Sequence, residues 1–185
     1  KRPLREGEFL ANQPLYTGPS AFHAATLRRF GWISAVVGIY VGKLSAGAAA
    51  ASGAYMPALY GLAVAVPLTL PLPFILWFSA PYVTRIYRLY RRGETDTVAK
   101  LEKDERLVFE TLTASGRKTY NTEVPLKDLR IVNKRHGWVN LELQYDDKKG
   151  QKSQFYVQDN IGGYKMDRIW GIIENNSGID NGRYN

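Results

Sequence analysis

The chain has 185 residues, with 25 Lys and Arg against 17 Asp and Glu for a formal charge of +8, two His and no Cys. That length holds one or two compact units, and the absence of thiols excludes a disulfide framework or a thiolate metal site. Apolar residues make up 45%, an ordinary average that hides an uneven distribution, because the 41 residues from Leu44 to Thr84 contain no Asp, Glu, Lys, Arg or His. Split by segment, the charge is +4 for Lys1 to Lys43 (six basic, two acidic), zero for Leu44 to Thr84 and +4 for Arg85 to Asn185 (19 basic, 15 acidic). Two positive collars therefore flank an uncharged middle. His23 and His136 are 113 residues apart, and no phosphate-cradling glycine loop or GxSxG nucleophile turn occurs. An enzyme is not expected, nor are catalytic residues, a cofactor or a metal site.

The first residue is Lys1 rather than Met, which leads us to expect a trimmed chain whose targeting peptide is gone. Residues 1–26 are polar and turn-rich, with Pro3, Pro14, Gly18 and Pro19, and read as an extended arm. Residues 27–92 read as a transmembrane hairpin with basic flanks. Its first helix is expected from about Phe30 to about Ala51, roughly 30 Å of apolar rise. Lys43 lies past its midpoint, where a long stem can snorkel to the far interface. The sharper reading of Lys43 is a cation at membrane depth that pairs with a partner's carboxylate. Gly31, Ala35, Gly38 and Gly42 put small residues on one helical face, suited to close helix approach. Packing against the chain's own second helix is the preferred use of that face; docking of a partner helix is the alternative.

Ser52-Gly53 breaks the pattern, and Leu59 to Phe78 supplies a second uncharged crossing of 20 residues. Pro67, Pro71 and Pro73 predict a kink or local unwinding inside it. Trp32, Trp77 and Tyr82 suit aromatic belts at the interfaces. Arg28 and Arg29 precede the first helix, and Arg85 and Arg88 follow the second. By the positive-inside rule both termini share one compartment.

Beyond residue 92 the chain becomes mixed in charge, and 93–175 reads as a small soluble α+β domain followed by a polar tail over 176–185. Alternation predicts strands at Leu107–Leu112, Lys118–Val124, Trp138–Tyr145 and Ser153–Val157, with turns at Ala114–Arg117 and Asp146–Gly150. One meander sheet is expected. Met166, Ile169, Trp170 and Ile173 form an apolar helical stripe that would cover it, with Asp159 or Asn160 as the start signal. The fold class is thus an α+β membrane protein, a two-helix hairpin followed by a small antiparallel sheet with one covering helix. The basic faces of the domain (Lys127, Arg130, Lys134 and Arg135) carry no RNA-binding aromatic motif, and a nucleic acid partner is not expected.

Four short motifs occur in order around the hairpin: Leu15-Tyr16-Thr17-Gly18, Tyr82-Val83-Thr84-Arg85-Ile86-Tyr87, Thr95-Asp96-Thr97 and Val124-Pro125-Leu126-Lys127-Asp128. With them the chain resembles the mitochondrial transmembrane protein 70-like family, from about Tyr16 to about Tyr156. The resemblance implies an inner mitochondrial membrane protein with both termini in the matrix. It implies an assembly factor for oxidative phosphorylation complexes, such as the ATP synthase rotor ring or complex I. It carries over no catalytic residues; positioning of the hairpin at the matrix interface by Tyr16, Gly18, Arg85 and Tyr87 is a hypothesis set beside it. The partners to expect are membrane lipids, membrane subunits of those complexes and a second copy of the chain. A permanent accessory subunit and a membrane receptor for the mitochondrial ribosome are the competing readings.

Overall fold

The computed structural model describes residues 7–91, 105–144, 153–159 and 161–179. The chain is α+β, with helices, two apolar candidate spans and antiparallel sheets. It divides into two units, a sheet unit (Lys1–Ala21, Pro81–Thr113 and Thr119–Asn185) and a helical unit (Phe22–Ala80 with Ala114–Lys118).

In the sheet unit the N-terminal segment is not a free arm. Strands β1 (Glu8–Leu10) and β2 (Tyr16–Thr17) both pair antiparallel with β3 (Val83–Arg91). On its other side β3 pairs with β4 (Arg106–Leu112), and β4 with β5 (Thr119–Pro125). The segment that carries the Tyr82–Tyr87 motif, placed by the sequence within the 27–92 hairpin, is therefore a central strand. Val83, Thr84, Ile86, Tyr87 and Tyr90 make up five of its nine residues, and such β-branched and aromatic side chains fit a pleated surface better than a helix. The uncharged run continues to Thr84, but the helix ends at Ser79, one residue beyond the expected crossing of Leu59 to Phe78.

The single meander gives way to two sheets. Pro125 lacks an N–H and ends β5, and a 3-10 turn at Leu126–Asp128 redirects the chain. The second sheet comprises β6 (Leu129–Lys134), β7 (Val139–Leu143) and β8 (Gln154–Phe155). Its expected turn at Asp146–Gly150 lies outside the described residues. Alternation places Val139, Leu141 and Leu143 in the core, where Phe155 meets Phe109 edge-on at 5.0 Å between ring centroids.

Helix α4 (Gly163–Ser177) buries Met166, Ile169, Trp170 and Ile173, the apolar stripe of the sequence, and packs on β6 and the 3-10 turn. It starts later than Asp159, after Gly162 at φ 109°. A Cβ there would lie 2.6 Å from Met166 Cβ and 2.8 Å from the Leu15 carbonyl oxygen, so only glycine fits. One buried carboxylate ties these elements together. Glu105, immediately before β4, has a fully buried side chain that pairs with Arg88 of β3 at 2.7 Å and with Arg168 of α4. Burial, the largest single influence, lowers the Arg88 pKa, but the Glu105 charge and the Tyr90 phenol, with the hydrogen bonds to both, together outweigh it and hold the guanidinium above its usual value.

The helical unit contains α1 (Ala21–Ser52, 32 residues), longer than expected because Ala21 to Ala25 already favours a helix. Helices α2 (Met56–Thr69) and α3 (Pro71–Ser79) together run 24 residues. The expected break falls at Leu70–Pro71, where Pro71 has no N–H to donate and opens α3. Pro67 remains inside α2 and Pro73 inside α3.

Candidate membrane-embedded surface and its polar base

The small-residue stripe of α1 is filled from within the chain. A Cβ at Gly31 would lie 3.2 Å from Ile75 Cδ1 and 3.3 Å from Leu72 Cδ1. At Gly38 it would lie 2.9 Å from both Leu68 Cβ and Thr69 Cγ2, and at Gly42 it would lie 3.5 Å from Ala65 Cβ. Ala35, between them, is 5% exposed. Further along, Gly61 sits against the Ser45 side chain. These contacts descend α2 and α3 as they ascend α1. Ser34 Oγ donates to the Leu68 carbonyl at 2.8 Å, in the last turn of α2. Gly31, Gly38 and Gly42 therefore lie against the chain's own second and third helices, with Ala35 buried between them.

The rest of the helical surface is bare. Phe30, Ile33, Val36, Val37, Ile39 and Tyr40 on α1 are exposed, as are Leu62, Val64, Phe74 and Trp77 on α2 and α3. In the most apolar stretch of each candidate span only 11% and 6% of residues are buried. A core helix of a soluble protein would be mostly buried, and soluble monomers rarely leave so continuous an apolar surface uncovered. Lys43 is exposed beside the stripe and has no ion-pair partner among the described residues.

At the opposite end of α1 the polar groups are organised. Arg28 is 2% exposed; its Nε donates to Ser79 Oγ at 2.8 Å and its Nη2 to the Ser79 carbonyl at 2.7 Å. The last turn of a helix leaves carbonyls without partners and a partial negative charge, and a cation there meets both needs. Arg29 donates through Nε (3.2 Å) and Nη2 (3.0 Å) to the Gly116 carbonyl, and Trp32 Nε1 donates to the Ala114 carbonyl at 3.1 Å. Gly116 has φ 65°, and a Cβ there would lie 2.7 Å from the Ala25 carbonyl oxygen. The segment Ala114–Lys118, expected only as a turn, is thus clamped onto the first turns of α1.

The other residues expected at the membrane interface divide. Trp77 is exposed on α3 beside Phe74, and Arg85 is exposed on β3. Tyr87 is half-buried, whereas Tyr82 and Arg88 lie within the sheet unit. The Leu15-Tyr16-Thr17-Gly18 motif is a clip in that unit. Tyr16, 1% exposed, accepts a hydrogen bond from the Gln158 N–H at 3.1 Å, and Tyr82 Oη accepts from the Ser20 N–H at 2.9 Å. Any side chain at Gly18 would strike Tyr82 Oη, 2.6 Å from its Cβ position. Burial pushes the Tyr16 phenol up to about 12, against the opposing Gln158 hydrogen bond, and burial likewise raises Tyr82. Glu105, Ser79 and Gly116 escaped sequence reasoning. Each acts through a partner 17 to 87 positions away, which no local pattern reports.

No family of known sequences matches this chain, and neither does any curated protein or solved structure.

Proposed function

We propose that the chain is an assembly factor of the inner mitochondrial membrane, with both termini in the matrix. Helix α1 and the α2–α3 pair form a transmembrane hairpin, and the sheet unit stands in the matrix. The clients are membrane subunits of oxidative phosphorylation complexes, such as the ATP synthase rotor ring or the membrane arm of complex I. The observation that carries the reading is the pair of long apolar helices, packed through small residues and bare elsewhere. An outer face of Ile33, Val37 and Tyr40 can shelter client helices through van der Waals contact, while the filled inner stripe keeps the hairpin itself intact. The basic flanks and the motif resemblance support the compartment and orientation. No catalytic step is required of it.

The test is affinity recovery of the tagged chain from mitochondria after brief crosslinking. The reading expects membrane subunits in incomplete assemblies and little chain in mature complexes. Stoichiometric recovery with a mature complex would instead make the chain a permanent subunit. Salt-sensitive recovery with ribosomes would make it a ribosome receptor.

A further inference from the structure

The helical unit contains five Lys and Arg (Arg28, Arg29, Lys43, Arg117 and Lys118) and no Asp or Glu. Four of the five gather where Ala114–Lys118 meets the start of α1. Arg28 is buried against Ser79, and the side chains of Arg29, Arg117 and Lys118 lie at the surface. The clamp also turns two carbonyls away from any anion, since those of Gly116 and Ala114 accept from Arg29 and Trp32. Arg29 uses Nε and Nη2 in doing so, and its Nη1 has no partner among the described residues. Arg117 follows the clamped Gly116 directly, so its place beside α1 is set by the backbone.

We propose that this base is a binding site for the phosphate of an anionic phospholipid headgroup, built from Arg29, Arg117 and Lys118 with Trp32. The Arg117 guanidinium fork can bind phosphate oxygens in a pair, Arg29 can add its Nη1, and an indole ring is favoured at headgroup depth. The bare side chains of Phe30 and Ile33, next along α1, offer the acyl chains an apolar surface that free phosphate would not use. The proposal rests on the membrane reading of the helices above. It adds a chosen lipid and a second role for the β4–β5 connection, which gathers a headgroup site at the foot of the hairpin.

The experiment uses the full chain, with Trp77→Phe so that Trp32 reports from the helices. It is reconstituted in phosphatidylcholine vesicles containing brominated phosphatidylglycerol or brominated phosphatidylcholine at equal fraction. The site predicts that the anionic lipid quenches Trp32 preferentially, with a relative binding constant of roughly five. Arg117→Gln with Lys118→Gln brings that ratio to about one. Gly116→Ala, which keeps every charge but drives the segment off the Ala25 carbonyl, lowers it as well. Lys127→Gln with Lys165→Gln, an equal charge loss elsewhere, leaves it unchanged. Equal quenching by both lipids in the starting chain overturns the proposal. So does a ratio lost in the charge variant but untouched by Gly116→Ala, which would mean diffuse surface charge. Abolition by millimolar inorganic phosphate would assign the site to the free anion instead. Absence of quenching by either lipid would refute the membrane reading itself.

Discussion

Gly42 and Ala65 offer a direct test of how α1 meets α2. A Cβ at Gly42 would stand 3.5 Å from Ala65 Cβ, at the short end of the roughly 3.5–4.5 Å range that a disulfide spans. The chain has no Cys, so Gly42→Cys with Ala65→Cys creates the sole thiol pair. Under mild oxidation in membranes the two should join within one chain. The closed loop of about 23 residues should stabilise the helical unit by about 3 kcal/mol, since loop-closure entropy is removed from the unfolded chain. The assay is mobility on a non-reducing gel, with free thiols counted by a polyethylene-glycol maleimide. The expected product is a monomer with no free thiol, formed equally at low and high chain density. Disulfide-linked dimers that rise with density, or thiols that stay free, would refute the internal packing of the stripe and return it to partner docking.

Three further outcomes follow from the geometry. Gly61→Ala collides with the Ser45 side chain, so the helices must part; overpacking of this kind costs about 1–3 kcal/mol. A restored melting temperature when Ser45→Gly is added would confirm the cause, and no recovery would dismiss it. Glu105→Gln leaves Arg88 and Arg168 without their buried counter-charge and should cost about 3–5 kcal/mol in chemical denaturation. Glu123→Gln, at the partly exposed pair with Arg106, should cost about 1 kcal/mol or less, and equal losses would defeat the distinction. Tyr16 keeps its proton in the folded chain to about pH 12, against 10.0 ordinarily. Between those values the folded state binds more protons than the unfolded, so stability is complete below about pH 10 and falls by roughly 2–3 kcal/mol on approaching pH 12. Tyr16→Phe should flatten that part of the alkaline denaturation curve, and an unaltered slope would place the phenol elsewhere.

Features whose cause is local could be read from residues alone. The apolar run from Phe30 to Gly42 marks α1 and the charge gap from Leu44 to Thr84 covers α2 and α3, because composition over some twenty positions suffices for that inference. Alternation at Val139, Leu141 and Leu143, and helical spacing from Met166 to Ile173, anticipated their burial. Pairings between distant segments stayed hidden. Nothing near Tyr16 announces that it pairs with Ile86, so an integral strand resembled an arm. Val83 and Ile86 are as apolar as the helix before them, and only Pro81 and the β-branched run hint at the change. At the base of the helices Arg28 and Arg29 resembled a topology signal, yet one caps α3 and the other clamps Gly116. A positive charge has the same appearance in a sequence whether water, a helix end or a carbonyl receives it.

The orientation of the hairpin tests the account most directly. A single cysteine at Ala54, between α1 and α2, and another at Asn175, exposed on α4, can each be probed with a membrane-impermeant maleimide. In mitochondria with the outer membrane opened, Ala54→Cys should label at once and Asn175→Cys only after the inner membrane is permeabilised. Labelling of both positions at once, or release of the chain by alkaline carbonate, would contradict a hairpin that crosses the membrane and returns to the matrix.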